Sequence, residues 1–254
     1  MRTSLLIVLA ACIASAQSFE VASIKPAAPD ARGMGFRVQP GGRLKMTNVT
    51  VRVMVTYAWD IRDHQVAGGP AWLDTEHFDI LAKPENEIPQ TPEGRELQKR
   101  MVQALLAERF GFKYHRETKE MPIYVLVIAK NGPKLATSAP ETQGEMMMSR
   151  GKLEAKKMKT GNLANGLAGR LGRNIVDQTG LTGDYDFTLE WTPDVGEGMG
   201  SKGLPEGPSR EAPQLAEGPS LFTALQEQLG LRLDSQKGPV EILVIDRAEK
   251  PSEN

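Results

Sequence analysis

The sequence predicts an α+β fold of two similar halves. Each half is a β-hairpin followed by two helix–strand–strand units, with antiparallel sheets that carry helices on one face. Three observations predict it. Hairpin and strand signals alternate with amphipathic helical stretches, the pattern of sheets covered by helices. Leu44 and Leu153, Phe78 and Phe187, Ile80 and Leu189, and Pro84 and Pro193 all stand 109 residues apart. The run Pro122-Ile123-Tyr124-Val125-Leu126-Val127-Ile128 returns 117 residues later as Pro239-Val240-Glu241-Ile242-Leu243-Val244-Ile245. A period of about 110 residues is domain-sized rather than solenoid-sized.

The elements follow in order. Met1-Arg2-Thr3-Ser4, the apolar run Leu5 to Ile13, and Ala14-Ser15-Ala16 are the three parts of a secretory signal. The run is too short for a helix to cross a bilayer core of about 30 Å, so the mature chain is expected to hold no transmembrane segment. Cleavage is expected after Ala16, leaving Gln17 at the head of 254 − 16 = 238 residues. The rival is a lipoprotein signal, Leu9-Ala10-Ala11-Cys12, with Cys12 as the acylated anchor. An extended start, Phe19 to Ile24, precedes a hairpin of Gly35 to Gln39 and Arg43 to Met46, turning through Pro40-Gly41-Gly42. Residues 49–59 alternate Val49, Val51, Val53 and Val55 with Thr50, Arg52, Met54 and Thr56, which is a strand period. Their counterpart, Asn162 to Leu171, spaces Leu163, Leu167 and Leu171 as a helix does, and the repeat decides for helix in both. Thr91-Pro92-Glu93 opens a helix that stops at Phe110-Gly111, and strands are expected at Phe112–Glu117 and Ile123–Ala129. Glu145 to Arg150 and Lys152 to Met158 form a second hairpin about Gly151. Ser220 caps a helix stopped by Gly230, and strands follow at Leu231–Ser235 and Val240–Asp246. The expected organisation is a signal peptide at 1–16, a first repeat at 17–135 and a second at 136–254. The second carries a Pro/Gly-rich insertion at 193–219, read as a mobile insertion between its last two units rather than a domain, with a functional lid as the alternative.

Composition narrows the function classes. Lys and Arg number 31 against 32 Asp and Glu, a net charge of −1. That balance lacks the basic footprint of a nucleic-acid binder. The single cysteine falls in the signal, so cleavage leaves no thiol nucleophile, disulfide or thiolate metal cage. There is no His-Glu-x-x-His, no Gly-x-Ser-x-Gly and no phosphate-binding Gly-rich loop ending in Lys-Ser or Lys-Thr. No catalytic residue, metal or cofactor is assigned.

The one segment with varied reactive groups runs from Asp60 to His77. His64, Asp74 and His77 could supply a base with its orienting carboxylate, or a 2-His-carboxylate metal site. Against this, His77 precedes an inward Phe78 and should face water, while His64 should complement a helix C-terminus. His115, between Tyr114 and Arg116, reads as an exposed strand residue. Trp72 after Gly68-Gly69-Pro70 is either a ligand platform or a loop anchor, and with His64 it is the candidate for ligand contact. Met146-Met147-Met148 reads as strand packing rather than soft-metal binding.

Three motifs carry a resemblance: Phe19-Glu20-Val21-Ala22-Ser23-Ile24-Lys25-Pro26, Gly68-Gly69-Pro70-Ala71-Trp72-Leu73, and Val176-Asp177-Gln178-Thr179-Gly180-Leu181-Thr182-Gly183-Asp184-Tyr185-Asp186-Phe187. Together they resemble a large family of exported proteins of unknown function, abundant in soil bacteria of the Acidobacteria and often present in many copies. Some relatives are fused to metallopeptidases of the beta-lactam-sensor type, which implies an envelope sensing or binding module. The helix–strand–strand pattern is also similar to the short N-terminal domains of secretins and TonB-dependent receptors. The expected function is therefore an exported, non-catalytic binding or interaction module with an envelope protein or ligand as partner. It would be periplasmic or extracellular, or tethered through Cys12. The alternative is a metal-dependent or His/Asp hydrolase using the His64–His77 region.

Overall fold

The computed structural model describes residues 18–193 and 218–251. Cys12, Ala16, Gln17 and nearly all of the 193–219 insertion lie outside the described residues. The fold is α+β, and it separates into two compact units. One holds the described residues up to Glu117 together with those from Ile242 onward; the other holds Thr118–Glu241.

The first unit contains β1 (Phe19–Pro26), β2 (Gly35–Val38), β3 (Leu44–Thr50), α1 (Val51–Trp59), β4 (Val66–Gly68), α2 (Trp72–Thr75), β5 (His77–Pro84) and α3 (Pro92–Phe110). It also contains the opening residues of β6 (Lys113–Ile128). Strands order as β1-β5-β3-β2, all antiparallel. Alternate residues point inward, so Ile24, Leu44, Met46, Ile80 and Ala82 are buried.

Helix α1 forms despite its β-branched alternation. Thr50 accepts the Val53 N–H at 3.4 Å as an N-cap, and Val51, Met54, Val55 and Ala58 fall on one buried side. Burial of that side outweighs the strand propensity of its valines. Helix α3 begins as its sequence demands, with Thr91 accepting the Gly94 N–H at 3.2 Å and Pro92 in the first turn. Its Met101, Val102, Leu105, Leu106 and Phe110 enter the same core.

The second unit contains β7 (Ala136–Thr137), β8 (Glu145–Ser149), β9 (Lys152–Met158), α4 (Thr160–Leu171), β10 (Ile175–Asp177) and β11 (Tyr185–Glu190). Next comes α5 (Leu221–Ala224), running on as a π turn through Leu225–Leu229, and then the opening residues of β12 (Leu231–Arg247), whose residues from Ile242 belong to the first unit. Strands order as β7-β11-β9-β8, again antiparallel. Leu153, Leu163, Leu167, Leu189, Trp191 and Leu225 build the core. Gly166 lies inside α4, where a Cβ would stand 3.0 Å from Met148 Cε. Met146 and Met148 pack against this core, whereas Met147 is exposed.

Each unit adds a short parallel pairing. In the first, β4 pairs with β12 through Val66 with Leu243, Ala67 with Val244 and Gly68 with Ile245. In the second, β10 pairs with β6 through Ile175 with Tyr124, Val176 with Val125 and Asp177 with Leu126. The breaks expected after Glu117 and after Ser235 are absent, because β6 and β12 each run unbroken. Pro122 and Pro239 sit in extended backbone that suits their fixed φ, and Gly238 packs against Ile123, where a Cβ would approach Cδ1 to 2.5 Å. Among the described residues, no helix is long and apolar enough to cross a membrane.

Candidate functional site

The segment between α1 and β5 lies wholly within the first unit, and Arg52 organises it. Arg52 stands in the first turn of α1 and is mostly buried. Its guanidinium forms a two-pronged pair with Asp74, Nε to Oδ1 and a terminal nitrogen to Oδ2 at 3.1 Å. The other terminal nitrogen donates to the Val66 carbonyl at 3.0 Å, and Asp63 lies 3.7 Å from Nε. The hydrogen bond to Asp74 raises the Arg52 pKa against the opposing effect of burial. One cation therefore ties together α1, β4, α2 and the turn at Asp63–Gln65.

The Gly68-Gly69 turn requires glycine at both positions. Their φ values are +74° and +81°. A Cβ on Gly68 would lie 2.9 Å from the Ile245 carbonyl oxygen, and one on Gly69 would lie 2.5 Å from Leu73 Cδ1. The turn aims Trp72 at Phe110, stacked at 6.4 Å between centroids, and at Phe78, edge-on at 6.5 Å. Trp72 is thus a partly buried anchor on the aromatic core.

The sequence candidates separate in their surroundings. Asp74 is engaged by Arg52. His77 is exposed, its Nδ1–H donating to the Thr75 carbonyl at 3.2 Å. His64 lies in the short 3₁₀ turn Asp63–Gln65 rather than at the end of α1, which closes at Asp60 with φ +52°. Among the described residues, no group of three or more His, Cys, Asp or Glu side chains is placed to hold a metal ion.

Two polar clusters were not singled out by sequence reasoning. In the first unit, His115 lies between carboxylates: Nδ1 meets Asp246 at 2.8 Å and Nε2 meets Glu117 at 3.0 Å. Ionised carboxylates only accept, so this geometry favours the imidazolium, in which both ring nitrogens donate. The hydrogen bond to Glu117, then that to Asp246, raises the His115 pKa. In the second unit, the buried Thr160 hydroxyl donates to Asp177 Oδ2 at 2.6 Å. Asp177 Oδ1 accepts the Thr179 N–H at 3.0 Å and its hydroxyl at 2.8 Å. Asp-x-Thr is a local turn signal legible in sequence, whereas Thr160 joins it only through the fold.

A small cavity of about 160 Å³ lies in the first unit beside Val38, Gly42, Ile88 and Gln98. Ligand pockets for small molecules run to about 300 Å³ and more. Its floor is fixed by the buried Gln98, which donates to the Gly42 carbonyl at 3.0 Å and accepts from the Tyr57 hydroxyl at 3.1 Å.

No curated protein and no solved structure matches the chain. One family profile does, over residues 52–248, a span that includes Arg52, the Gly68-Gly69 turn, His115 and the Asp177–Thr179 turn. The chain belongs to DUF3738, a protein family of unknown function.

Proposed function

We propose that this chain is an exported binding or interaction module that performs no catalysis. The observation that carries the reading is the two-pronged Arg52–Asp74 pair. A general base must be free to take a proton from its substrate, and Asp74 is instead neutralised by a guanidinium that also holds Val66. The nearby His77 faces solvent and leans on its own loop carbonyl. These residues build a stiff loop on an aromatic floor, which is what a binding surface requires. The signal at Met1–Ala16 supports export, with Gln17 or an acylated Cys12 as the mature N-terminus.

The test is turnover and metal content of the purified mature protein. The reading expects no stoichiometric transition metal and no hydrolysis of ester, amide or phosphate substrates above that of a His64→Ala variant. A hundredfold loss of a measurable activity in that variant would overturn it in favour of the hydrolase. Mass spectrometry of the native N-terminus, with cell fractionation, decides between Gln17 and Cys12.

A further inference from the structure

We propose that the open face of the β1-β5-β3-β2 sheet is a docking surface for an anionic lipid bilayer. The proposal rests on the binding-module reading and names its partner. Helices α1 and α3 cover one side of this sheet, with Val51, Met54, Val102, Leu105 and Leu106 in the shared core. The opposite side faces solvent. Strand register lines up Ser23, Leu81, Lys45 and Arg37 in one row across all four strands. Val21 lies beside Lys83 in the next row on one side, and Lys25 beside Asp79 on the other. The face therefore presents Lys25, Arg37, Lys45 and Lys83 around two aliphatic side chains, Val21 at 57% and Leu81 at 52% exposure.

The acidic groups do not balance the basic ones. Glu20 pairs with Lys83 at 3.1 Å, and Asp79 accepts the Asn48 N–H at 2.9 Å. Lys25, Arg37 and Lys45 have no ion-pair partner among the described residues. Lys45 and Arg37 stand directly opposite each other on neighbouring strands, an arrangement that works against the sheet's own stability. Edge protection accounts for Arg37 on β2 but not for Lys45, which lies on an inner strand.

The sheet of the second unit is an internal comparison. Its strand order follows the same scheme, yet its open face alternates in sign. Lys152 bridges Glu154 at 2.7 Å and Glu190 at 3.1 Å, and Glu145 stands opposite Lys156. The architecture does not demand an unpaired basic face, so the excess charge in the first unit calls for an external anion.

The composition selects the kind of anion. No Phe, Tyr or Trp ring lies among these face residues, which removes the main stacking platform that single-stranded nucleic acid and sugar rings use. Lysine is depleted in protein–protein interfaces, and here it supplies most of the charge. A flat array of cations around exposed aliphatics suits lipid phosphates, with Val21 and Leu81 entering the interfacial layer.

Vesicle co-sedimentation of the mature protein tests this. Binding is expected to vesicles of phosphatidylcholine with about 30% phosphatidylglycerol, and not to phosphatidylcholine alone. It should fall steeply between about 0.1 and 0.5 M salt as the Debye length contracts. Lys45→Glu, which creates an opposite-charge pair with Arg37 and so preserves the sheet, should weaken binding by about tenfold or more. Lys156→Glu on the other sheet should leave it unchanged. Arg37→Gln gives a second variant with the charge removed at the edge, expected to weaken binding about fivefold. Equal binding to neutral vesicles, no binding to either, or wild-type binding by Lys45→Glu would each overturn the proposal. So would a soluble sulfated polysaccharide bound by the same face more tightly than the vesicles, since the partner would then be a polymer. The turnover and metal assays are independent of vesicles, so the two readings fail separately.

Discussion

At the scale of single residues, the polar groups work by holding neighbours in place. His115 is the clearest titrating case, because its two carboxylate partners raise its pKa. Its unfolded pKa is about 6.5. A raised folded pKa means the contribution to stability is fully present below about pH 6.5 and is lost as pH rises through the folded value. An NMR titration of the His115 ring should give a midpoint above that reference, moving down in Asp246→Asn. A midpoint at or below the reference would remove the imidazolium clamp. Arg52 is tested by truncation. Arg52→Ala frees Asp74 and the Val66 carbonyl together, and denaturant unfolding should show a loss of about 1–2 kcal/mol. Thr160→Val leaves Asp177 beside an apolar wall, and a loss of about 1–3 kcal/mol is expected in the same measurement.

At the scale of elements, backbone requirements dominate. Gly69→Ala sets a Cβ against Leu73 in a left-handed backbone, so it should cost about 1–3 kcal/mol and loosen Trp72. Tryptophan fluorescence and thermal unfolding would report both, and an unchanged melting temperature would contradict the strict need for glycine. Most element types were legible in the chain. The Thr91 and Ser220 caps, the Gly111 and Gly230 stops and the Gly151 turn all announce themselves through local chemistry. Helix α1 was legible only by analogy with α4, because its own valines alternate as in a strand and the deciding force is burial against β3 and α3. The continuity of β6 and β12 was not legible, since proline reads as a break unless its missing N–H falls where no ladder bond is needed. At the candidate site, His64, Asp74 and His77 were visible as near neighbours in sequence. Arg52, which decides what Asp74 can do, stands 22 residues earlier and meets it only once α1 is seated.

At the scale of the whole molecule, the compact units do not follow the chain in simple order. The core of the first unit includes Leu243 and Ile245 from the end of β12, paired to β4. A fragment of residues 18–135 therefore lacks two buried side chains and one neighbour of β4. It should show weak, non-cooperative unfolding by circular dichroism, and a peptide of residues 240–251 added in trans should restore a cooperative transition. A fragment that unfolds cooperatively without the peptide would show that the closing strand is dispensable. The 109- and 117-residue spacings relate stretches of sequence, but they cannot reveal which unit each stretch completes. That assignment depends on strand pairing between residues far apart, which no local pattern encodes.

The position of Leu243 and Ile245 also sets a timetable for biosynthesis. Domains usually fold in the order in which they leave the ribosome, the N-terminal one first. Here the unit begun first waits for Leu243 and Ile245, so it stays open until residues 118–241 have been synthesised. A stop codon at Ile242 would leave the unit that opens with β1 without the side chains that close its core.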